Sequence, residues 1–144
     1  LSKLGVSKWQ GTAEENSRMM RVITKLHGAA DVSIVELDPA TSRKFIFSYE
    51  YGDGKAYQFA DVAEQQETAT TRIIPNKAKY LINFSTFQCS EGFQRGIQSY
   101  LRYSLGWQSQ LRVQSFLNGL GYLAIGPYSY TNNMSLNVAY SVLG

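Results

Sequence analysis

The strongest constraint on the fold is a helical pattern in the second half of the chain. Ser90 is a residue type that caps helices, and Glu91 would favour the positive end of the helix that follows. Apolar residues then recur at helical spacing until Gly121, which ends the pattern. These residues are Ile97, Leu101 and Leu105, and after Gly106 they are Val113, Phe116, Leu117 and Leu120. The last four are spaced i, i+3, i+4, i+7, which is typical of a helix with one buried face.

The first third of the chain also has clear helix and strand signals. Thr12 and Glu15 have the spacing of a capping box, so a helix is predicted over residues 13 to 27, with Gly28 as its stop. Val32 to Leu37 is a β-branched run closed by Asp38-Pro39 and predicts a strand. Lys44 to Tyr51 predicts a second strand, and we expect these two strands to pair.

The remaining segments complete a mixed pattern. Residues 60 to 70 are polar and predict a surface segment, and Asn76-Lys77 predicts a turn. Short strands are predicted at Arg72–Ile74, Tyr80–Phe84 and Tyr122–Ile125, the second of them buried, and a last apolar segment at Met134–Leu143. Alternation of helices and strands predicts the α/β class, or α+β if the strands pair antiparallel.

The chain has 144 residues, which is the usual size of one domain. We therefore expect a single domain over residues 1–144, with residues 1–75 forming an N-terminal helix-and-strand part and residues 76–144 a central helix-and-strand part. Because the sequence does not begin with Met and ends at Val142-Leu143-Gly144, we expect it to be an incomplete part of a longer protein.

Charge and composition exclude several classes of function. The net charge of +3, with no run of five basic residues, does not favour a nucleic-acid partner. The single cysteine, Cys89, excludes an internal disulfide and any Cys-x-x-Cys metal or cluster site built from this chain alone. The only histidine, His27, is interpreted as a polar residue at the end of the first helix, and no metal ligand is assigned.

One group of aromatic residues has two interpretations. Tyr100, Tyr103 and Trp107 are spaced i, i+3, i+7, so they share one face of the predicted helix. Such a stripe most often packs in a core. Alternatively it lines an apolar pocket, in which one phenol, with an ordinary pKa of about 10, serves as a general acid.

Polar residues in two predicted loops can also be interpreted either as ligand-binding residues or as ordinary loop residues. Asn132 and Asn133 follow Gly126-Pro127 in a loop after a predicted strand, where ligands are often held. Ser85-Thr86 follow the Tyr80–Phe84 strand in the same way. Loop and helix-cap chemistry explains both pairs without any ligand.

Two stretches of the chain resemble the corrinoid-dependent reductive dehalogenases. Residues 9 to 38, WQGTAEENSRMMRVITKLHGAADVSIVELD, resemble that family's Trp-x-Gly-Thr-x-Glu-Glu helix followed by Gly-Ala and a strand ending Glu-Leu-Asp. Residues 103 to 125, YSLGWQSQLRVQSFLNGLGYLAI, resemble its Tyr-Ser opening and its Leu-Gly-Tyr-x-Ala-Ile core. An Asn-bearing loop and SLNVAYSVLG follow in the family's order.

This resemblance implies a fold and an activity. The fold would be the nitroreductase-like core that encloses a corrinoid of the cobalamin type, incomplete in this chain. The enzyme would be an oxidoreductase of organohalide respiration, which removes halide from a small organohalide by two-electron reduction at cobalt, with electrons arriving through two 4Fe–4S clusters. The cofactor would carry out the electron transfer, while the protein would orient the substrate and supply a proton.

The resemblance also implies roles for individual residues. Tyr103 falls on the position of the tyrosine that donates the proton, and Asn132 or Asn133 would be its polar partner. Trp107 and Tyr100 would line the substrate pocket. The residues implied to bind the corrinoid are Ser129, Tyr130, Met134, Ser135 and Asn137.

The chain departs from the family in several respects. It has no Cys-x-x-Cys-x-x-Cys run to bind the clusters, and the Gly-Leu-Gly-Glu of the family would follow its last residue. We therefore expect it to be inactive alone. An electron donor, a membrane anchor protein and a place at the outer face of the cytoplasmic membrane after twin-arginine export are implied by the family only. The alternative is a non-redox corrinoid- or flavin-binding module of nitroreductase-like fold.

Overall fold

The computed structural model describes residues 5–49, 52–126 and 135–144 of the chain. These residues form a mixed α+β structure with small sheets, consistent with the predicted class at that coarse level. The helices are α1 (Ala13–Leu26), α2 (Ser90–Gln94), α3 (Gln98–Gly119) and α4 (Asn137–Leu143), with a short 3-10 helix at Ser42–Phe45. The strands are β1 (Ala29–Glu36), β2 (Ala56–Ala60), β3 (Gln66–Glu67), β4 (Thr71–Pro75) and β5 (Tyr80–Thr86).

Helix α1 begins and ends where the sequence predicts. The Thr12 hydroxyl accepts a hydrogen bond from the Glu15 amide at 3.1 Å, and the Glu15 carboxylate accepts one from the Thr12 amide at 2.8 Å. These bonds satisfy two amides that the first turn leaves without helical partners, and they lower the pKa of the Glu15 carboxyl. His27 is the C-terminal cap, followed by Gly28 with φ of 103°. The predicted capping box and helix are confirmed.

The strands form two separate small sheets. β1 pairs with β5, and β4 lies between β2, which is parallel to it, and β3, which is antiparallel. The strands predicted at Arg72–Ile74 and Tyr80–Phe84 are therefore confirmed within β4 and β5, and the one predicted at Val32–Leu37 is confirmed in β1 except for Leu37, which follows its last residue. The expected burial of the Tyr80–Phe84 strand is wrong for most of its residues, because only Leu81 is buried and Tyr80 is 65% exposed.

The predicted strand at Lys44 to Tyr51 is wrong over its described part. The chain forms the 3-10 helix and then only isolated bridges at Ile46 and Tyr49, and β1 pairs with β5. The reason is a buried hydroxyl: the Ser42 Oγ donates to the Glu36 carbonyl at 2.5 Å and accepts from the Asp38 amide at 2.8 Å. These bonds hold the segment against the end of β1 in a tight turn.

The predicted strand at Tyr122 to Ile125 is also wrong. The Ala124 amide donates to Asn118 Oδ1 at 3.3 Å, and the Ala124 carbonyl accepts from Gln114 Nε2 at 3.1 Å. Two side chains of α3 thus occupy the backbone groups that a strand partner would need. The helix cap predicted at Ser90 is displaced by one residue, since Cys89 Sγ accepts from the Gly92 amide at 3.3 Å.

Contacts along the chain define two compact units, each made of two separate stretches of sequence. The first comprises Leu1–Val32 and Phe84–Ala124, and the second comprises Ser33–Asn83 and Ile125–Gly144. The expectation of a single domain stays a prediction. Within the described ranges, no helix has both the length and the apolar character that crossing a bilayer requires.

The core of the second unit is organised around Tyr140, which has no exposed surface. It packs with Val35, Leu37 and Leu81, and its ring meets Phe45 edge-on with 6.0 Å between ring centroids. Its phenol donates to the Ser42 carbonyl at 2.8 Å, and burial raises the pKa of that phenol. Tyr140 therefore joins α4 to the 3-10 helix through both apolar and polar contacts.

An ion-pair network stabilises the β2–β4–β3 sheet of the same unit. Arg72, 7% exposed, donates from Nη1 and Nη2 to the two carboxylate oxygens of Asp53 at 3.0 and 2.7 Å. Its Nη2 is also 3.3 Å from Glu67, which pairs with Lys55. The hydrogen bonds from Arg72, and then from the Lys55 amide, hold the pKa of the Asp53 carboxyl below its ordinary value of 3.8.

We expect Tyr140→Phe to lower the free energy of unfolding by about 1–3 kcal/mol, because the buried Ser42 carbonyl loses its donor while the ring still fills the core. Urea denaturation followed by circular dichroism measures the change. Tyr80→Phe, on an exposed side chain, is the matched control and should change little. Equal stability of Tyr140→Phe and the wild type would contradict this role for the hydroxyl.

We expect Asp53→Asn to reduce stability at neutral pH and to weaken the acid dependence of unfolding. A carboxyl whose pKa is lowered by folding contributes its full stabilisation above its unfolded value of 3.8, and the contribution is lost as the pH falls through the folded value. Unfolding curves between about pH 5 and pH 2 measure this. Asp31→Asn, at an exposed carboxylate, is the control, and parallel pH profiles of Asp53→Asn and wild type would refute the prediction.

Candidate functional site on helix α3

Helix α3 carries the residues that the sequence singled out. It follows the short helix α2 after a turn at Gly96, which has φ of 73°. The sequence suggested helical segments on either side of Gly106, and the structure joins them into one continuous helix of 22 residues. Residues spaced i, i+3, i+7 along its length therefore lie on one face, as predicted for Tyr100, Tyr103 and Trp107.

One side of α3 is buried by polar as well as apolar contacts. Ser109 is 2% exposed, and its Oγ lies 2.5 Å from the His27 carbonyl at the end of α1 and 2.9 Å from the Leu105 carbonyl. A Cβ at Gly28 would lie 3.3 Å from that oxygen, so the glycine lets the two segments approach closely. Val113, one turn further along, is also buried. These contacts fix which side of α3 faces inward.

The three aromatic residues lie on the outer side. At 100° per residue, the middle of the Tyr100–Tyr103–Trp107 row is about 150° around the helix from Ser109. The exposed fractions agree with this: 80% for Tyr100, 66% for Tyr103 and 43% for Trp107. The core-packing interpretation of the stripe is therefore wrong for the described structure, and a surface of aromatic rings is present instead.

A glycine lies beside this row in the middle of the helix. Among the described residues, and apart from the backbone of α3 itself, no atom lies within 4 Å of a Cβ built at Gly106. A glycine in a helix interior costs about 1 kcal/mol relative to alanine. Gly106 follows Tyr103 by three residues and therefore lies next to it on the helix surface. Gly119, the last residue of α3, also has open space at its Cβ position.

The other predicted site residues divide into two groups. Ser129, Tyr130, Asn132, Asn133 and Met134 lie outside the described residues. Ser135 and Asn137 are described and lie close together, since the Ser135 hydroxyl donates to Asn137 Oδ1 at 3.0 Å.

Ser135 and Asn137 also contact residues that the sequence did not point to. Ser135 forms a bridge with Ile46, and the Asn137 carbonyl accepts from Asn83 Nδ2 at 3.3 Å. Asn83 Nδ2 also donates to the Ser141 hydroxyl at 2.6 Å. These bonds locate the start of α4, and no periodicity or motif in the sequence predicts them.

A concave surface of the second unit was also missed from sequence. It has a volume of about 280 Å³ and is open to solvent, and apolar and polar residues line it in equal number. The lining residues are Val35, Thr41, Ser42, Lys44, Phe45 and Leu143. Across the described parts of the chain, no three His, Cys, Asp or Glu side chains form a group suited to a metal ion.

We expect Ser109→Ala to lower the free energy of unfolding by about 1 kcal/mol, because the His27 carbonyl loses a hydroxyl donor at a buried contact. Thermal or urea unfolding measures the loss. Ser104→Ala is the matched control on the same helix, because Ser104 is exposed and only accepts a long hydrogen bond of 3.4 Å from Gln108. If the two variants are equally stable, the Ser109 contact does not anchor the helix.

Comparison with known proteins assigns neither a family nor a function to this chain. No protein-family model matches the chain, and no curated protein matches it in sequence. A function must therefore be argued from the exposed aromatic face of α3 and from the motifs in the two stretches that resemble one enzyme family.

Proposed function

We propose that this chain is the corrinoid-holding part of a reductive dehalogenase and that Tyr103 is its proton donor. The observation that carries the proposal is the exposed phenol of Tyr103 on α3, with the rings of Tyr100 and Trp107 on the same face. Large exposed apolar patches mark binding sites more often than they occur by chance. A proton donor also has to be accessible to its substrate, and a side chain that is 66% exposed meets that requirement.

The aromatic face of α3 has a shape and polarity that suit a corrinoid. A corrin is a broad ring system, and exposed aromatic rings on a rigid helix offer it, and a halocarbon beside it, a flat apolar surface. Tyr100, Tyr103 and Trp107 would face the reacting side. When bound, the corrinoid would supply the two-electron reduction of the carbon–halogen bond.

The residues of this chain do not fit the iron–sulfur clusters of the family. Four thiolates hold one 4Fe–4S cluster, whereas the chain has a single cysteine, Cys89, whose sulfur caps helix α2. In this proposal the clusters are held by residues outside this sequence. An electron donor, a membrane anchor protein and export to the outer face of the cytoplasmic membrane belong to the same proposal.

The chemistry assigned to the chain is binding and proton transfer. The organohalide gains two electrons and one proton, the carbon–halogen bond breaks, and halide leaves with the bonding pair. The Tyr103 Oη–H bond breaks and its proton goes to the carbon that loses halide. In the proposal, Trp107 and Tyr100 contact the halocarbon beside the phenol. The resemblance assigns the polar partner of this phenol to Asn132 or Asn133, which lie outside the described residues.

The proposal is tested with Tyr103→Phe in the enzyme that contains this chain and its cluster-binding region. Removing a general acid lowers turnover by about two to four orders of magnitude, while the corrinoid content should stay unchanged because the ring remains. Halide release and the absorption spectrum of the bound corrinoid provide the two measurements. Tyr49→Phe, at an exposed tyrosine of the second unit, is the control.

Two results would count against the proposal in different ways. Undiminished turnover by Tyr103→Phe would remove this residue from the mechanism. Corrinoid binding by the wild type without halide release from any organohalide would favour the alternative, a corrinoid-binding module without redox turnover.

A further inference from the structure

Residues 8–11 precede helix α1 and contact the chain at the C-terminal end of helix α3, and the proposed function gives them no role. We call this segment the strap. The Trp9 amide donates to the Leu120 carbonyl at 3.2 Å, and the Trp9 carbonyl accepts from the Tyr122 hydroxyl at 3.0 Å. Both backbone groups of one residue therefore bind the chain just past the last residue of α3.

The side chain of Trp9 binds a different element, the start of helix α1. Its indole Nε1 donates to Asn16 Oδ1 at 2.9 Å, and Asn16 Nδ2 donates to the Gly11 carbonyl at 2.9 Å. We call this pair of hydrogen bonds the lock. A Cβ at Gly11 would lie 2.9 Å from the indole nitrogen and 3.0 Å from Asn16 Oδ1, so the lock has no room for a side chain at that position.

The strap also supplies a cap and a cation to the end of α3. The last carbonyls of a helix have no partners within the helix, and a positive charge near them is favourable. The last turn of α3 has no basic residue. Lys8 places its Nζ 4.0 Å from the centre of the Tyr122 ring, just past that turn, and the Trp9 amide binds the Leu120 carbonyl. A segment from another part of the sequence thus caps this helix end.

Polar contacts at exposed positions provide most of the attachment of the strap. Lys8 and Gln10 are exposed, and the Trp9 side chain is 43% exposed. Hydrogen bonds contribute little net free energy where water can replace them, and segments with few buried apolar contacts open at a lower free energy than the whole fold. Helices α1 and α3, in contrast, are joined through the buried hydroxyl of Ser109. The strap can therefore separate from the two helices while they stay together.

We propose that the strap is a conformational latch, which closes over the C-terminal end of α3 when the lock forms and opens as a unit while α1 and α3 stay folded. Trp9 is the bridging residue, because its backbone holds the end of α3 and its side chain holds the start of α1. Opening removes the strap partners of the Leu120 carbonyl and the Tyr122 hydroxyl, so the latch determines whether this helix end is capped. The inference is independent of the proposed function.

Native-state hydrogen exchange of the full chain, followed by NMR at increasing urea concentrations below the unfolding transition, tests the latch. The protection factor of the Trp9 amide should be lower by about tenfold or more than those of the amides in the middle of α1 and α3. Its exchange should also depend only weakly on urea, because local opening exposes little surface. Exchange of the Trp9 amide with the protection and urea dependence of global unfolding would show that the strap is not a latch.

Gly11→Ala and Asn16→Ala test the lock. The first forces the Trp9 indole away from Asn16, and the second removes both lock bonds while favouring the helix. In each variant the protection of the Trp9 amide should fall by about fivefold or more, which corresponds to one lost hydrogen bond. The amides of α1 and α3 should keep their protection. Because the chain has two tryptophans, Trp107→Phe leaves Trp9 as the only indole, and its emission should shift to longer wavelength in both variants.

Gln10→Ala is the matched control, because Gln10 is an exposed residue of the strap between Trp9 and Gly11. It should leave the protection of the Trp9 amide and the Trp9 emission unchanged. Unchanged protection in both Gly11→Ala and Asn16→Ala would overturn the lock. A fall in protection shared equally by the strap, α1 and α3 would overturn the latch, because the three would then unfold together.

Discussion

The arrangement of the first unit depends on one buried hydroxyl. Ser109 Oγ lies against the carbonyl of His27, so the end of α1 and the middle of α3 are held at hydrogen-bond distance in a place where water does not compete. Once that side of α3 is inside, helical geometry directs Tyr103 to the outside. The exposed aromatic row is thus a consequence of where a polar contact is buried.

Polar side chains also shape the segments that are neither helix nor strand. Ser42 ties the chain to the end of β1, and Gln114 and Asn118 hold Ala124 by both of its backbone groups. Backbone groups satisfied in this way have no need of a neighbouring strand. This explains why apolar runs such as Tyr122 to Ile125 do not join a sheet.

The same contacts determine how much could be predicted from sequence. Helix α1 was predictable because its signals are local: Thr12 and Glu15 are three residues apart, and Gly28 follows directly. The strand wrongly predicted at Lys44 has suitable residues, but Ser42 contacts Glu36 and Tyr140, the latter nearly a hundred residues away in sequence. Contacts between residues so far apart in sequence produce no periodic pattern of residue types. They are therefore seen only in the structure.

The candidate site shows the same limit. Spacing places Tyr100, Tyr103 and Trp107 on one face of a helix, and the structure has them there. Spacing does not say whether that face is buried, because this depends on which residues of α1 and α3 meet. The open space at Gly106 is likewise a property of the folded chain and not of the residue type. Ser135 and Asn137 were selected by resemblance, and their mutual hydrogen bond became visible only in three dimensions.

The division of each unit into two stretches of sequence has a consequence for biosynthesis. The hydrogen bond between Ser109 and His27 joins residues 82 positions apart. At a translation rate of roughly 5–20 residues per second, α1 would wait about 4–16 s on the ribosome before its partner is made. During that interval α1 has no α3 to pack against, although Met20 of α1 is buried in the folded chain. Apolar surface that is exposed in this way before α3 is synthesised makes a nascent chain prone to aggregation.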